Sequence, residues 1–167
     1  MTDKTAADVP TQQITFRYDA LDRRILKGVD LTPQDALDAA LTHFVYDGDD
    51  VLLDFVDSDG SGPNPATLDN RYLHGPATDQ VFAQDGGTGD VQWLLADHLG
   101  TVHDLVNNSG VIANHIVYDS YGNVISQTNA AIDTRYDYTG RENERELGLM
   151  YYRSRYYDPS RGRFIPQ

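Results

Sequence analysis

Three aspartates in the second half of the chain, Asp97, Asp119 and Asp137, each open an Asp-x-x-Gly that closes on Gly100, Gly122 and Gly140. Around them lie strand-like runs, 91–97, 101–106, 111–119 and 124–128, separated by gaps of three or four residues that each carry a glycine. A parallel return to the same sheet needs a crossover of roughly a dozen residues or more, so gaps this short permit only antiparallel hairpins. The aspartate accepts hydrogen bonds from the backbone of its own turn and glycine supplies positive φ, so each copy ends one strand and starts the next. Tyr118 and Tyr136 precede two of these aspartates, and looser copies stand at Tyr18-Asp19, at Tyr46-Asp47 and at Tyr157-Asp158-Pro159 running to Gly162. From Asp97 the steps to Asp119, Asp137 and Asp158 are 22, 18 and 21 residues, at the short end of the range for repeat architectures. The tyrosines are expected to stack on one another between neighbouring hairpins.

The fold class that follows is all-β, built of antiparallel hairpin repeats with one short helix. Residues 1–13 read as a flexible tail, because the alternation of Ile14, Phe16 and Tyr18 with Thr15, Arg17 and Asp19 marks the first half-buried strand. A single domain is expected over 14–167. The helix is placed at Thr32–Leu41, with Thr32 as N-cap, Pro33 at the first helical position and Asp35 in the first turn. Glu142–Glu146 reads as an acidic connector and Leu149–Asp158 as one long final strand. The strands at 14–18 and 149–158 would then be the open terminal edges, which predicts self-association. Eleven tyrosines against five phenylalanines and one tryptophan indicate a core of half-buried sheet faces, where a ring packs and its hydroxyl stays bonded.

Charge and composition narrow the function. A net charge of −13 repels phosphate backbones and anionic lipid, which argues against nucleic acid and membrane surfaces as partners. No stretch approaches the roughly 20 apolar residues of a membrane helix, and Met1–Pro10 lacks the basic start and apolar run of a secretory signal. Without cysteine there is no thiolate zinc site and no disulfide framework.

Catalytic and metal readings are weak residue by residue. Asp57, Asp59 and Ser61 with Gly62 imitate the start of a calcium loop, but Leu68 stands where a bidentate glutamate is needed, and Pro63 and Pro65 argue against a helix leaving it. The five histidines lack ligand spacing. Acidic pairs such as Asp49 with Asp50, or Glu142 with Glu144, come with no sign of a cleft. No serine elbow, phosphate loop or nucleophilic cysteine is present. The chain is therefore read as no enzyme, with no cofactor and no metal. Arg153 and Arg155 alternate with Met150, Tyr152 and Tyr156 and are expected to reinforce one strand by stacking on tyrosine.

Taken together, several blocks resemble the RHS or YD-repeat proteins, in particular their core segment. They are Tyr18-Asp19-Ala20-Leu21, Tyr46-Asp47-Gly48-Asp49, Arg71-Tyr72-Leu73-His74-Gly75-Pro76 and Asp97-His98-Leu99-Gly100-Thr101-Val102. They continue with Tyr136-Asp137-Tyr138-Thr139-Gly140-Arg141-Glu142, and with Gly148-Leu149-Met150 followed by Tyr151, Tyr152, Arg153, Arg155, Tyr156, Tyr157, Asp158 and Pro159, closing on Gly162-Arg163-Phe164. That last block is the most specific. Asp22 stands where the family's first motif places glycine, a departure that leaves the first turn open. The resemblance implies a β-shell or stalk of spiralling hairpins that encloses or displays a toxin or adhesive module, on a secreted or cell-surface protein. Implied partners are the remainder of a larger chain or further copies of this one, a toxin cargo, and, as an alternative function, a glycan bound on exposed tyrosines.

Overall fold

The computed structural model describes residues 2–4, 10–33, 39–77 and 79–165. Two compact units form, Met1–Arg71 and Tyr72–Gln167, where one domain over 14–167 was expected. In a meander each strand pairs with its sequence neighbours, so cohesion is local and the chain can divide along its length.

The first unit runs β1 (Thr2–Lys4), β2 (Pro10–Tyr18), β3 (Arg24–Asp30), β4 (Ala40–Asp47), β5 (Asp50–Asp57) and β6 (Thr67–His74), the last continuing past Arg71 into the second unit. Each strand pairs antiparallel with the next. Ile14, Leu26, Phe44 and Val51 form the core. Arg24 is buried among them, its guanidinium 5.1 Å from the Phe16 ring centre and 5.3 Å from that of Phe44. The boundary placed at Ile14 falls inside β2, which starts at Pro10 and carries Thr2–Lys4 along its side. The polar run Pro10–Gln13 has no apolar alternation to announce a strand, yet its backbone pairs all the same. Residues 34–38 of the expected helix lie outside the described residues, and its last two, Ala40 and Leu41, open β4 instead.

The second unit contains β7 (Val81–Asp85), β8 (Gln92–Ala96), β9 (Val102–Asn107), β10 (Ile112–Tyr118) and β11 (Val124–Gln127), again each antiparallel to the next. A loop and a single 3-10 turn at Tyr138–Gly140 lead into a four-stranded antiparallel sheet, β12 (Glu142–Glu144), β13 (Leu149–Tyr152), β14 (Arg155–Asp158) and β15 (Arg163–Phe164). Leu94, Val102, Leu105 and Ile116 are buried in the first sheet, and Leu149, Met150 and Tyr151 in the second.

Two expectations are corrected here. Residues 149–158 are a hairpin, not one strand: Tyr152 pairs with Arg155 across a two-residue turn in which Arg153 takes φ 59°. The supposed connector Glu142–Glu146 begins as β12, and Glu144 is only 2% exposed. In consequence the expected terminal edges are interior strands, with β2 between β1 and β3, and β13 and β14 between β12 and β15.

Candidate functional site: a spine of interlocked turns

The repeated aspartates build one turn in several copies. In the Asp97 turn, Oδ1 accepts from the backbone N–H of Leu99 (2.8 Å) and Thr101 (2.9 Å). The main chain closes it twice, Asp97 N–H to Thr101 O at 2.9 Å and Gly100 N–H to Asp97 O at 3.0 Å, with Gly100 at φ 85°. Asp119 repeats the arrangement through Tyr121 N–H (2.8 Å) and Asn123 N–H (3.0 Å), with Gly122 at φ 93°. So does Asp19, through Leu21 and Arg23 at 2.8 and 3.0 Å; Asp22 adopts φ 59° where the pattern wants glycine, so this turn forms after all. Aspartate and asparagine are the residues best able to tolerate that region.

A further copy escaped the sequence reading. Asn107 receives Ser109 N–H (3.0 Å) and Val111 N–H (3.1 Å), with Gly110 at φ 76°. An amide oxygen accepts just as a carboxylate does; a pattern written as Asx-x-x-Gly would have found it.

Tyrosine hydroxyls lock the turns to one another rather than only stacking. Tyr138 Oη donates to Ser120 O (3.0 Å) and Tyr157 Oη to Tyr121 O (2.9 Å), both within the Asp119 turn. Asn123 Nδ2 reaches Asp119 Oδ2 (2.8 Å) and Pro159 O (2.9 Å), tying that turn to the Asp158 turn. Thr139 N–H bonds Thr101 Oγ1 (3.1 Å) and Val102 N–H bonds Asp137 O (3.1 Å), so the Asp97 and Asp137 turns are joined too. In the first unit Tyr46 Oη donates to Arg24 O (3.0 Å), while Arg23 binds Asp19 and Gly48 O, linking the Asp19 turn to the one that follows Asp47. Tyr18, ahead of Asp19, is 44% exposed.

The last block supplies the aromatic floor. Tyr152, Tyr157 and Phe164 meet at ring distances of 5.2 to 5.9 Å, and Tyr151 packs on Tyr156 at 5.3 Å. Arg155 stacks 4.0 Å over Phe164 and Arg141 5.0 Å over Tyr152. Arg153, by contrast, sits at the hairpin tip and pairs with Asp79 at 2.9 Å, as Arg141 does at 2.8 Å. Asp158 Oδ1 accepts from Ser160 N–H and hydroxyl, Gly162 turns at φ 61° against the Tyr121 ring, and Arg163 pairs across from Asp158. In the loop weighed for calcium, Asp59 Oδ2 is bound by Asn64 through both its backbone and its side-chain nitrogen.

The electrostatics separate Asp137 and Asp133 from the aspartates that cap their own turns. Burial alone would lift the Asp97 carboxyl, but the Thr101 and Leu99 amides and the nearby histidines bring it below the ordinary carboxylate value. Asp119 is held low by the Asn123 side chain and then by its turn amides, and Asp158 by the Ser160 hydroxyl. Asp137, 2% exposed, is pushed up by burial, which Asn143 and Arg145 only partly offset. Asp133 is raised by burial as well. The Tyr118 hydroxyl is raised strongly, first by burial and then by the neighbouring Asp137 charge.

A meander in which repeated Asx turns close successive hairpins and tyrosine hydroxyls bolt several of those turns together defines a YD-type β-repeat. Residues 79–167 match the family model of the Teneurin YD-shell, and the chain belongs to that family. Among curated proteins it is similar to salivary gland surface protein 1 of Aedes aegypti, 28% identical over 163 residues that cover 93% of this chain and 5% of that protein. It is also similar to the tRNA3(Ser)-specific nuclease WapA of Bacillus spizizenii, 28% identical over 155 residues, 90% of this chain and 6% of that one. The chain thus spans about a twentieth of either relative. Among solved structures, TcdB2-TccC3 matches with a TM-score of 0.64 at 19% identity over 98% of this chain and 9% of that chain. The Photorhabdus luminescens Tc holotoxin pore matches with 0.64 at 19% over 99% and 9%. At such identity the likeness shows the fold.

Proposed function

We propose that this chain is a non-catalytic wall segment of a larger YD-shell, which encloses or displays a toxin or adhesive partner on a secreted or cell-surface protein and associates with further repeats. The observation that carries this reading is the interlocking of the turns. The motif side chains spend their hydrogen-bonding capacity on backbone amides of their own turns and carbonyls of adjacent ones, which favours a rigid wall over a substrate cleft. The relatives named above, each far longer than this chain, include a surface protein and a nuclease, and the structural neighbours are components of a toxin complex. Repeats gain stability from neighbours on either side, so the chain should associate with copies of itself when those neighbours are missing. Light scattering over a hundredfold concentration range, with intact-mass analysis after days at neutral pH, tests the proposal. Growing assemblies of uncut chain are expected; a strict monomer, or a discrete cut abolished by one Asp→Asn change, would count against it.

A further inference from the structure

Charge is unevenly spread along the chain. Residues 1–134 hold six basic and 21 acidic side chains, whereas residues 135–167 hold seven basic and five acidic. Three of those arginines gather around Tyr152 at the β13–β14 tip. Arg141 stacks over its ring at 5.0 Å, Arg153 occupies the tip itself, and Arg155 stands directly across the strand pair. Among the described residues a single carboxylate is ion-paired with this cluster, that of Asp79, which Arg141 and Arg153 share. Arg155 has no acidic partner among them, and the buried Nε of Arg141 has no acceptor.

Arg155 is held ready for a carboxylate. Its side chain is exposed and its guanidinium lies 4.0 Å over the Phe164 ring, so stacking takes one flat face and leaves the N–H edge for an acceptor. A fork held in place in advance loses less freedom on binding. The surface beside it is fixed as well, since Tyr152 Oη is bonded to Thr139 Oγ1 at 2.6 Å and its ring packs on Tyr157 and Phe164. Tyr152 and Tyr157 are half-buried and Phe164 is exposed. Arginine among large aromatic rings is the composition on which protein interfaces concentrate their binding energy.

The complementary surface belongs to the first unit. At the β4–β5 turn, Asp47-Gly48-Asp49-Asp50 sets three carboxylates within four residues, and Asp47 stands directly opposite Asp50, where like charges repel. Asp47 and Asp49 are exposed, and none of the three has a cation partner among the described residues. Arg23 reaches this turn only at Gly48 O and is itself paired with Asp19. We propose that the arginine cluster of one copy docks on the Asp47–Asp50 turn of the next, with Arg155 as the anchor. This rests on the reading of a wall that adds copies of itself, and it names the two surfaces that join. They differ from one another, so the contact is head to tail and each added copy leaves a cluster and a turn free for the next. The net charge of −13 opposes approach at long range, but at physiological ionic strength it is screened beyond about 8 Å, while cluster and turn act at contact.

The test is a charge-swap cycle on the full chain, read by sedimentation velocity over a range of concentrations at low and at high salt. Arg155→Glu and Asp49→Arg should each weaken association by about tenfold or more. An equimolar mixture of the two variants should regain it, because the reversed cluster of one fits the reversed turn of the other. High salt should weaken the wild-type assembly and the mixture alike. Variants that associate as the wild type does, a mixture no stronger than its parts, or association that grows with salt would overturn the docking while leaving a wall joined by its strand edges. A wild type that stays monomeric at every concentration would sink the wall reading along with it. Should Arg155→Glu fail to fold, the loss in Asp49→Arg and the salt response of the wild type still decide the matter.

Discussion

Gly122 and Gly110 hold the same turn position and make different demands on a side chain. Both have positive φ, 93° and 76°. A Cβ at Gly110 would meet nothing within 4 Å, whereas at Gly122 it would stand 2.6 Å from Cδ1 and 2.7 Å from Cγ of Tyr138, the ring whose hydroxyl bonds Ser120. Gly110→Ala is therefore expected to cost the left-handed strain alone, about 1–2 kcal/mol. Gly122→Ala adds overpacking, roughly 1–3 kcal/mol more, and displaces a link of the spine. Denaturant unfolding of the two variants measures the difference; equal losses would mean that Tyr138 yields freely and that the spine at this point is loose. The sequence marked both glycines as turn formers through their spacing. It carried no sign of which one lies under a ring, because that depends on a tyrosine 16 residues away folding back.

At the scale of elements, legibility followed the presence of turn chemistry. The strands 92–96, 102–107, 112–118 and 124–127 fall within two residues of the runs read from alternation and glycine. The hairpin at 149–158 was invisible, since its tip is Arg153-Ser154, with no glycine, proline, asparagine or aspartate to mark it, flanked by tyrosines and arginine that favour a continuous strand. β12 was hidden by its charge: Glu142 and Glu144 look solvated until Arg135 and the burial of Glu144 are seen. The tip yields a prediction of sign. In an unbroken strand Arg153→Gly would destabilise by roughly 0.5–1 kcal/mol through lost side-chain packing and backbone entropy. At a hairpin tip with φ 59° it relieves about 1–2 kcal/mol of left-handed strain and gives up a half-exposed ion pair with Asp79 worth about 0–1 kcal/mol. A variant as stable as wild type or more so is expected in thermal melts, and a clear loss would contradict the tip.

For the whole molecule, the consequence of nearest-neighbour pairing is that damage stays local. Unfolding of one unit in a repeat chain is not obliged to unfold the other. Hydrogen exchange on full-length Gly122→Val should show β9–β15 losing protection while β3–β5 keep theirs; simultaneous loss across both units would mean a single cooperative body. The order of the turns along the sheet carries a further meaning. Asp97 joins β8 to β9, Asn107 joins β9 to β10, and Asp119 joins β10 to β11, so in a meander the two aspartates lie on one rim and the asparagine on the other. The tyrosine bolts gather on the aspartate rim, while on the asparagine rim Asn108 accepts from Trp93 Nε1 (3.2 Å) and donates to Gly89 O (3.4 Å). A duplication or deletion of about 22 residues moves two strands together and keeps every bolt on its rim. A change of one strand would send the bolts to the wrong side. Lineages built on this scaffold should accordingly differ in length by whole pairs of strands, with the bolted rim as the ruler that sets the increment.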